Sequence, residues 1–140
     1  MCVLLVMAMV LAIPTFATET VGPRASDYFM CNSVYLCNIS GNSFEAWFDV
    51  TAVGGMDIIG AKTIKIQRSS DGVNWTTVKT YTMEDYPDLV AYNTFVHMAN
   101  VSYTGLRGYY YRARVQLYAK KGVNEGYWTQ DSASTYIPAN

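Results

Sequence analysis

Ile64-Lys65-Ile66-Gln67-Arg68-Ser69-Ser70-Asp71-Gly72-Val73-Asn74-Trp75-Thr76-Thr77-Val78 reads as two strands joined by a tight Asp-Gly turn. Apolar residues alternate on either side of a dipeptide that tolerates positive φ, which is a strong short-range hairpin signal. The stretch places the chain in the antiparallel all-β class and says nothing of function.

Working toward the carboxyl end, the segment Met83-Glu84-Asp85-Tyr86-Pro87-Asp88 reads as a loop, because Pro87 cannot donate to a ladder and the acids repel. A calcium site and a solvated turn both suit these acids, and the lack of Gly-punctuated spacing favours the turn. A strand follows near Asn93 to Val101. The best-patterned strand starts after Leu106-Arg107-Gly108, where Tyr109, Tyr111, Ala113, Val115 and Leu117 form an apolar face. Tyr110, Arg112, Arg114, Gln116 and Tyr118 form its wet face. Lys121-Gly122-Val123-Asn124 turns the chain into a last strand from about Gly126 to Ile137.

Toward the amino end, a first strand spans about 28 to 39 and ends at Ser40-Gly41-Asn42. In the second, Phe44, Ala46, Phe48 and Val50 share the core face, while Glu45, Trp47 and Asp49 share the other. Gly54-Gly55 and Gly60 are read as bracketing a long turn. Six or seven short strands separated by turn chemistry imply a two-sheet antiparallel β-sandwich over residues 28–138.

The amino terminus speaks to compartment. Val3 to Ile13 is wholly apolar, Pro14 breaks the run, and Thr15-Phe16-Ala17 supplies small residues around a cut after Ala17. Residues 1–17 therefore read as a secretory signal peptide and 18–27 as a polar lead. The apolar run is shorter than the roughly 20 residues a spanning helix needs, and no later segment is apolar enough to hold the chain in a membrane, so no stable membrane span is expected after cleavage. No Lys or Arg precedes the run, which leaves open a truncated start or an internal start codon at Met1. The expected localisation is extracellular.

The chain has 140 residues, with 10 basic and 11 acidic side chains, a net charge of −1, and 12 tyrosines. The mature length suits a single domain. Lacking a basic stripe, it is not expected to bind nucleic acid or acidic lipid. Cys2 leaves with the signal, so Cys31 and Cys37 remain as a possible disulfide. Along one straight strand they would lie roughly 20 Å apart, beyond the reach of a bridge, so such a bond requires the strand to bend. Two thiols without a nearby His do not make a zinc site. No metal or cofactor is expected.

The run from Leu106 to Val115 resembles the corner and sixth-strand pattern of fibronectin type III and related immunoglobulin-like sandwiches. That resemblance gives Tyr109 or Tyr111 the role of the corner tyrosine, its phenol bonded back to nearby backbone. Three pieces in order, Ile66 to Trp75, Gly108 to Arg114 and Tyr136-Ile137-Pro138, are similar to a family of small exported bacterial proteins of unknown function, typical of Gram-positive anaerobes. The resemblance implies export and a β-sandwich and transfers no activity. The Cys31 and Cys37 pair departs from that family's pattern.

An enzyme is not expected. His97 is the only histidine and reads as an outward strand residue, and no nucleophile-elbow motif is present. Glu45 and Asp49, four apart on one strand face, stand roughly 13 Å apart, too far for either glycosidase geometry. A small secreted hydrolase is the alternative, resting on His97 and scattered acids. Asn38, Asn74 and Asn100 begin glycosylation acceptor patterns, which the bacterial source implied by the resemblance would make incidental. The leading expectation is a non-catalytic binding module for a glycan or protein. Its candidate face is Trp47 beside Glu45 and Asp49, with Tyr110 and Tyr118 projecting from the sixth strand, since exposed rings flanked by hydrogen-bonding groups anchor ligands. The bland reading is that these rings only cover the sheet.

Overall fold

The computed structural model describes residues 27–140, so the expected signal peptide and the lead up to residue 26 lie outside the described residues. The strands are β1 (Phe29–Ser40), β2 (Ser43–Ser69), β3 (Thr76–Thr82), β4 (Val90–Thr104), β5 (Tyr109–Lys121), β6 (Asn124–Asp131) and β7 (Thr135–Ile137). All pairings are antiparallel, in one curled sheet with the path β1-β2-β5-β6. Among the described residues no helix is long and apolar enough to cross a membrane.

β2 organises the fold by changing partners along its length. Its first half lies between β1 and β4, with Val34, Phe48 and Ala99 in register. Its second half lies between β3 and β5, with Tyr81, Ile64 and Val115 in register. Phe44, Ala46, Phe48, Val50 and Ala52 from the first half, and Ile59, Ala61, Ile64 and Ile66 from the second, are buried in one core with Tyr111, Ala113, Val115 and Leu117 of β5. The step from Ala61 to Ile64 breaks strict alternation. A bulge at Lys62 absorbs the odd residue and keeps the apolar side inward.

Three expectations about chain breaks are corrected. Gly54, Gly55 and Gly60 do not bracket a turn, because β2 runs through all three. Gly60 serves a close crossing instead: a Cβ there would stand 2.1 Å from the Leu89 carbonyl oxygen, so only glycine lets the start of β4 lie against it. Asp71-Gly72 is part of a longer hairpin connection, since the pairing ends at Arg68 with Thr76. Gly72 has φ +75°, and the Asp71 carboxylate accepts the backbone N–H groups of Val73 and Asn74 at 2.8 Å each. The side chain thus replaces ladder bonds that a two-residue turn would have made. The last strand is two strands, β6 and β7, which pair with opposite ends of β5.

One tyrosine fixes the entry to β5. The hydroxyl of fully buried Tyr111 accepts the Leu106 N–H at 2.7 Å and donates to the Leu106 carbonyl at 3.0 Å. Its ring meets Phe44 at 5.3 Å and Tyr103 at 6.0 Å. Of the two tyrosines considered for this role, Tyr111 fills it. The Tyr109 ring lies under the Arg68 guanidinium at 4.7 Å.

Candidate functional site: an aromatic pair between β1 and β4

The half of β2 that lies between β1 and β4 turns Glu45, Trp47 and Asp49 away from the core. In β1 the residues opposite them are Cys37, Tyr35 and Ser33; in β4 they are Ser102, Asn100 and Met98. Direct cross-strand pairs are the closest neighbours on a sheet face. The Tyr35 and Trp47 rings are accordingly parallel to within 7°, with centroids 6.5 Å apart. Trp47 is half-buried and Tyr35 exposed.

Hydrogen bonds hold this pair in place. The indole Nε1–H of Trp47 donates to Glu45 Oε2 at 2.7 Å, and Asn38 Nδ2 donates to the same oxygen at 2.7 Å. These two bonds hold the Glu45 carboxyl below its ordinary range. Ser33 Oγ donates to Asp49 Oδ2. With the indole edge engaged, what Trp47 offers a ligand is its ring face. The second oxygens of Glu45 and Asp49 lie on the same strand face, one on each side of the ring.

Tyr110 and Tyr118 belong to a different part of the sheet, flanked by the second half of β2 and by β6 and β7. Tyr118 is corrected from an exposed ring to a buried one. Its hydroxyl donates to Glu125 Oε1 at 2.9 Å, its ring packs on Tyr127 at 5.4 Å, and Lys62 Nζ lies 5.6 Å above it. Burial is the largest of the causes that push its phenol well above the usual range, followed by the Glu125 hydrogen bond. Tyr110 is half-buried against Tyr136 at 4.9 Å. Arg112, lying over Trp75 at 4.5 Å, donates to Gln67, and Arg114 grips Asp131 through bonds of 2.7 and 2.8 Å. The rings and charges of this face are occupied by one another.

Cys31 and Cys37 are free, six residues apart in β1, so the bridge is not formed. Burial, and after it the Glu45 charge opposite, raise the Cys37 thiol above its ordinary range. Cys31 lines a cleft of about 350 Å³ with Phe29, Met30, Asn32 and Trp128, between the start of β1 and β6. His97 is corrected as well. It is half-buried on the core side of β4, its ring 5.9 Å from Phe48 and its Nε2 2.8 Å from the Asp88 carbonyl oxygen. Among the described residues no group of three or more His, Cys, Asp or Glu is placed to hold a metal ion.

Tyr35 is the site residue that sequence reasoning missed. A two-residue Gly41-Asn42 turn extrapolated along the hairpin sets Tyr35 opposite Phe48, on the core side. The bulge between Cys37 and Ser40, where Asn38 takes φ +52°, shifts the register by one and brings Tyr35 opposite Trp47. Comparisons of the chain with protein-family models, with curated proteins and with solved structures found no match.

Proposed function

We propose that this chain is an exported, non-catalytic binding module whose ligand face is the Tyr35 and Trp47 pair with Glu45 and Asp49. The observation that carries the reading is the near-parallel alignment of two rings on the outer side of β1 and β2, neither sealed under other side chains. A ring pair that covered the sheet for its own sake would be enclosed, as Tyr118 is. A glycan suits the surface best. Pyranose C–H faces stack on flat rings, and carboxylate oxygens at both ends accept hydroxyl donors. Strand spacing sets Glu45 and Asp49 roughly 13 Å apart, a span suited to more than one sugar residue. Export rests on the apolar run and small-residue cut at residues 3–17.

The reading includes a fibronectin-III-like or immunoglobulin-like two-sheet sandwich. Division of β2 between one set of partners, β1 and β4, and another, β3 and β5, supports it, because the two halves then supply opposite walls of one core. The Tyr111 bonds to Leu106, at the start of a strand and five residues upstream, match the tyrosine-corner pattern.

Retention from cell-wall and mucus extracts tests the function, with wild type compared against Trp47→Ala and Tyr35→Ala. Each substitution is expected to lower retention while the fold survives, a hot-spot loss of about 2 kcal/mol or roughly 30-fold in affinity. Undiminished retention by both variants, or retention of proteins alone after glycans are removed, would overturn the glycan reading.

A further inference from the structure

Edge strands carry unpaired backbone groups, and proteins guard them with charge, Pro or a covering segment. Here the guarding is uneven. Edge strand β3 carries Lys79, and β6 carries Glu125 and Asp131. β4 has no Asp, Glu, Lys or Arg in 15 residues, and among the described residues it pairs with β2 alone. β1 is also uncharged, but its amino end faces β6. A Cβ on Gly126 of β6 would lie 2.4 Å from the Tyr28 ring, so that ring already rests on β6.

β4 also exposes large apolar side chains. Tyr92 is 62 % exposed, Phe95 55 %, Val96 47 % and Met98 57 %. Half of the backbone beneath them faces the free edge. The Ser102 carbonyl is already taken, accepting a bond from the Tyr81 hydroxyl of β3 at 2.8 Å, so the open stretch lies before it. In an antiparallel ladder a residue's N–H and C=O point the same way and alternate with period two. Pairing with β2 from Val96 to Thr104 is uninterrupted, so every second residue of that stretch turns its backbone groups to the free edge.

We propose that β4 is a self-association edge, along which two copies of this chain pair β4 to β4, antiparallel, about a two-fold axis. A second copy is the occupant the chemistry favours. An uncharged strand meets its own copy without like-charge opposition, whereas it offers a charged partner no counter-charge. An axis through His97 sets Val96 of each copy opposite the partner's Met98, so the exposed apolar pair is covered twice. The isologous contact closes on itself and does not propagate. About that axis the stretch 94–100 pairs with itself, a seam of roughly 24 Å at about 3.4 Å per residue, short for an interface that must bury about 1,000 Å² to be stable. The dimer is therefore reversible. Pairing about that axis extends the β1-β2-β4 face across both copies, and it holds whether or not Trp47 binds a ligand.

Sedimentation velocity of the purified chain, from micromolar to millimolar concentration, tests the proposal. Mass is expected to rise from monomer to dimer over that range, and Met98→Lys is expected to weaken dimerisation at least tenfold with an unchanged unfolding midpoint. Mixing Met98→Lys with Met98→Glu should restore a dimer containing one of each. If Met98→Lys fails to fold, Val96→Lys carries the same test. A monomer at every concentration, or a dimer unaffected by the lysines, would overturn the proposal, as would capture of an unrelated extended peptide in preference to a second copy.

Discussion

Removing one oxygen from Tyr111 probes the joint between β4 and β5. Tyr111→Phe keeps the ring in contact with Phe44 and Tyr103 and deletes both hydrogen bonds to Leu106. Because Tyr111 is fully buried, the Leu106 N–H is left facing a phenyl edge. Two bonds at about 1 kcal/mol each give a loss of about 2 kcal/mol, a fall in midpoint of roughly 8 °C for a domain of this size. Tyr109→Phe is the control. The Tyr109 ring packs on Arg68 and nothing in the described residues receives or donates at its hydroxyl, so its midpoint should hardly move. Gly105→Ala attacks the same contact from the other side, since a Cβ there would stand 2.5 Å from the Tyr111 hydroxyl oxygen. It should cost at least as much as Tyr111→Phe, and the double variant should lose less than the sum. Thermal and urea unfolding measure all four. Equal midpoints for Tyr111→Phe and Tyr109→Phe, or strict additivity with Gly105→Ala, would refute the reasoning.

At Gly72, where φ is +75°, Gly72→Asn should be nearly neutral and Gly72→Val should cost about 1 to 2 kcal/mol, because a β-branched side chain is penalised in that region; equal midpoints would contradict the assigned loop. Four hydrogen bonds from Asn74, Val73 and Ser69 hold the Asp71 carboxyl far below its ordinary range, and Arg114 lowers that of Asp131. Both folded values lie beneath the unfolded one near about 3.9. The folded state therefore binds fewer protons, and this stability is complete above pH about 5 and lost as pH falls through the folded values. Urea midpoints should drop on acidification and drop less steeply in Asp71→Asn, whereas a midpoint that rises toward acid would contradict it. Alkylation at pH 8 should modify both strand thiols, Cys31 faster than Cys37, because Cys31 is exposed whereas burial and the Glu45 charge raise the Cys37 thiol; two thiols that stay blocked until reduction would establish the disulfide instead.

Sequence periodicity reached the core and stopped at the bulges. Alternation alone identified Phe44, Ala46, Phe48 and Val50, and likewise Tyr111, Ala113, Val115 and Leu117, as inward rows, because burial of a sheet face imposes period two. It did not foresee β2 running through Gly54, Gly55 and Gly60. Glycine punctuation normally ends a strand, and here the need for Leu89 to lie against Gly60 retains the glycine inside one. Tyr118 has the wet-face phase, and its burial comes from Tyr127, its cross-strand partner on β6, from Glu125 beside it and from Lys62, which the β2 bulge displaces. Trp47, Glu45 and Asp49 were legible as a group because they share one strand. Tyr35 was not, since the Asn38 bulge that turns it toward Trp47 depends on backbone geometry that no residue type announces.

The indole N–H resonances report most directly on the binding face. Trp47, Trp75 and Trp128 each contribute one such signal, and the Trp47 signal is identified by its loss in Trp47→Phe. Its N–H is tied to Glu45, so a sugar laid on the ring shifts the resonance through the ring face and the shared carboxylate. Titration with oligosaccharides released from cell-wall and mucus extracts should move the Trp47 signal saturably and leave those of Trp75 and Trp128 in place. A saturable shift confined to Trp75 or Trp128, or no shift at Trp47 with any fraction that the protein retains, would contradict the account.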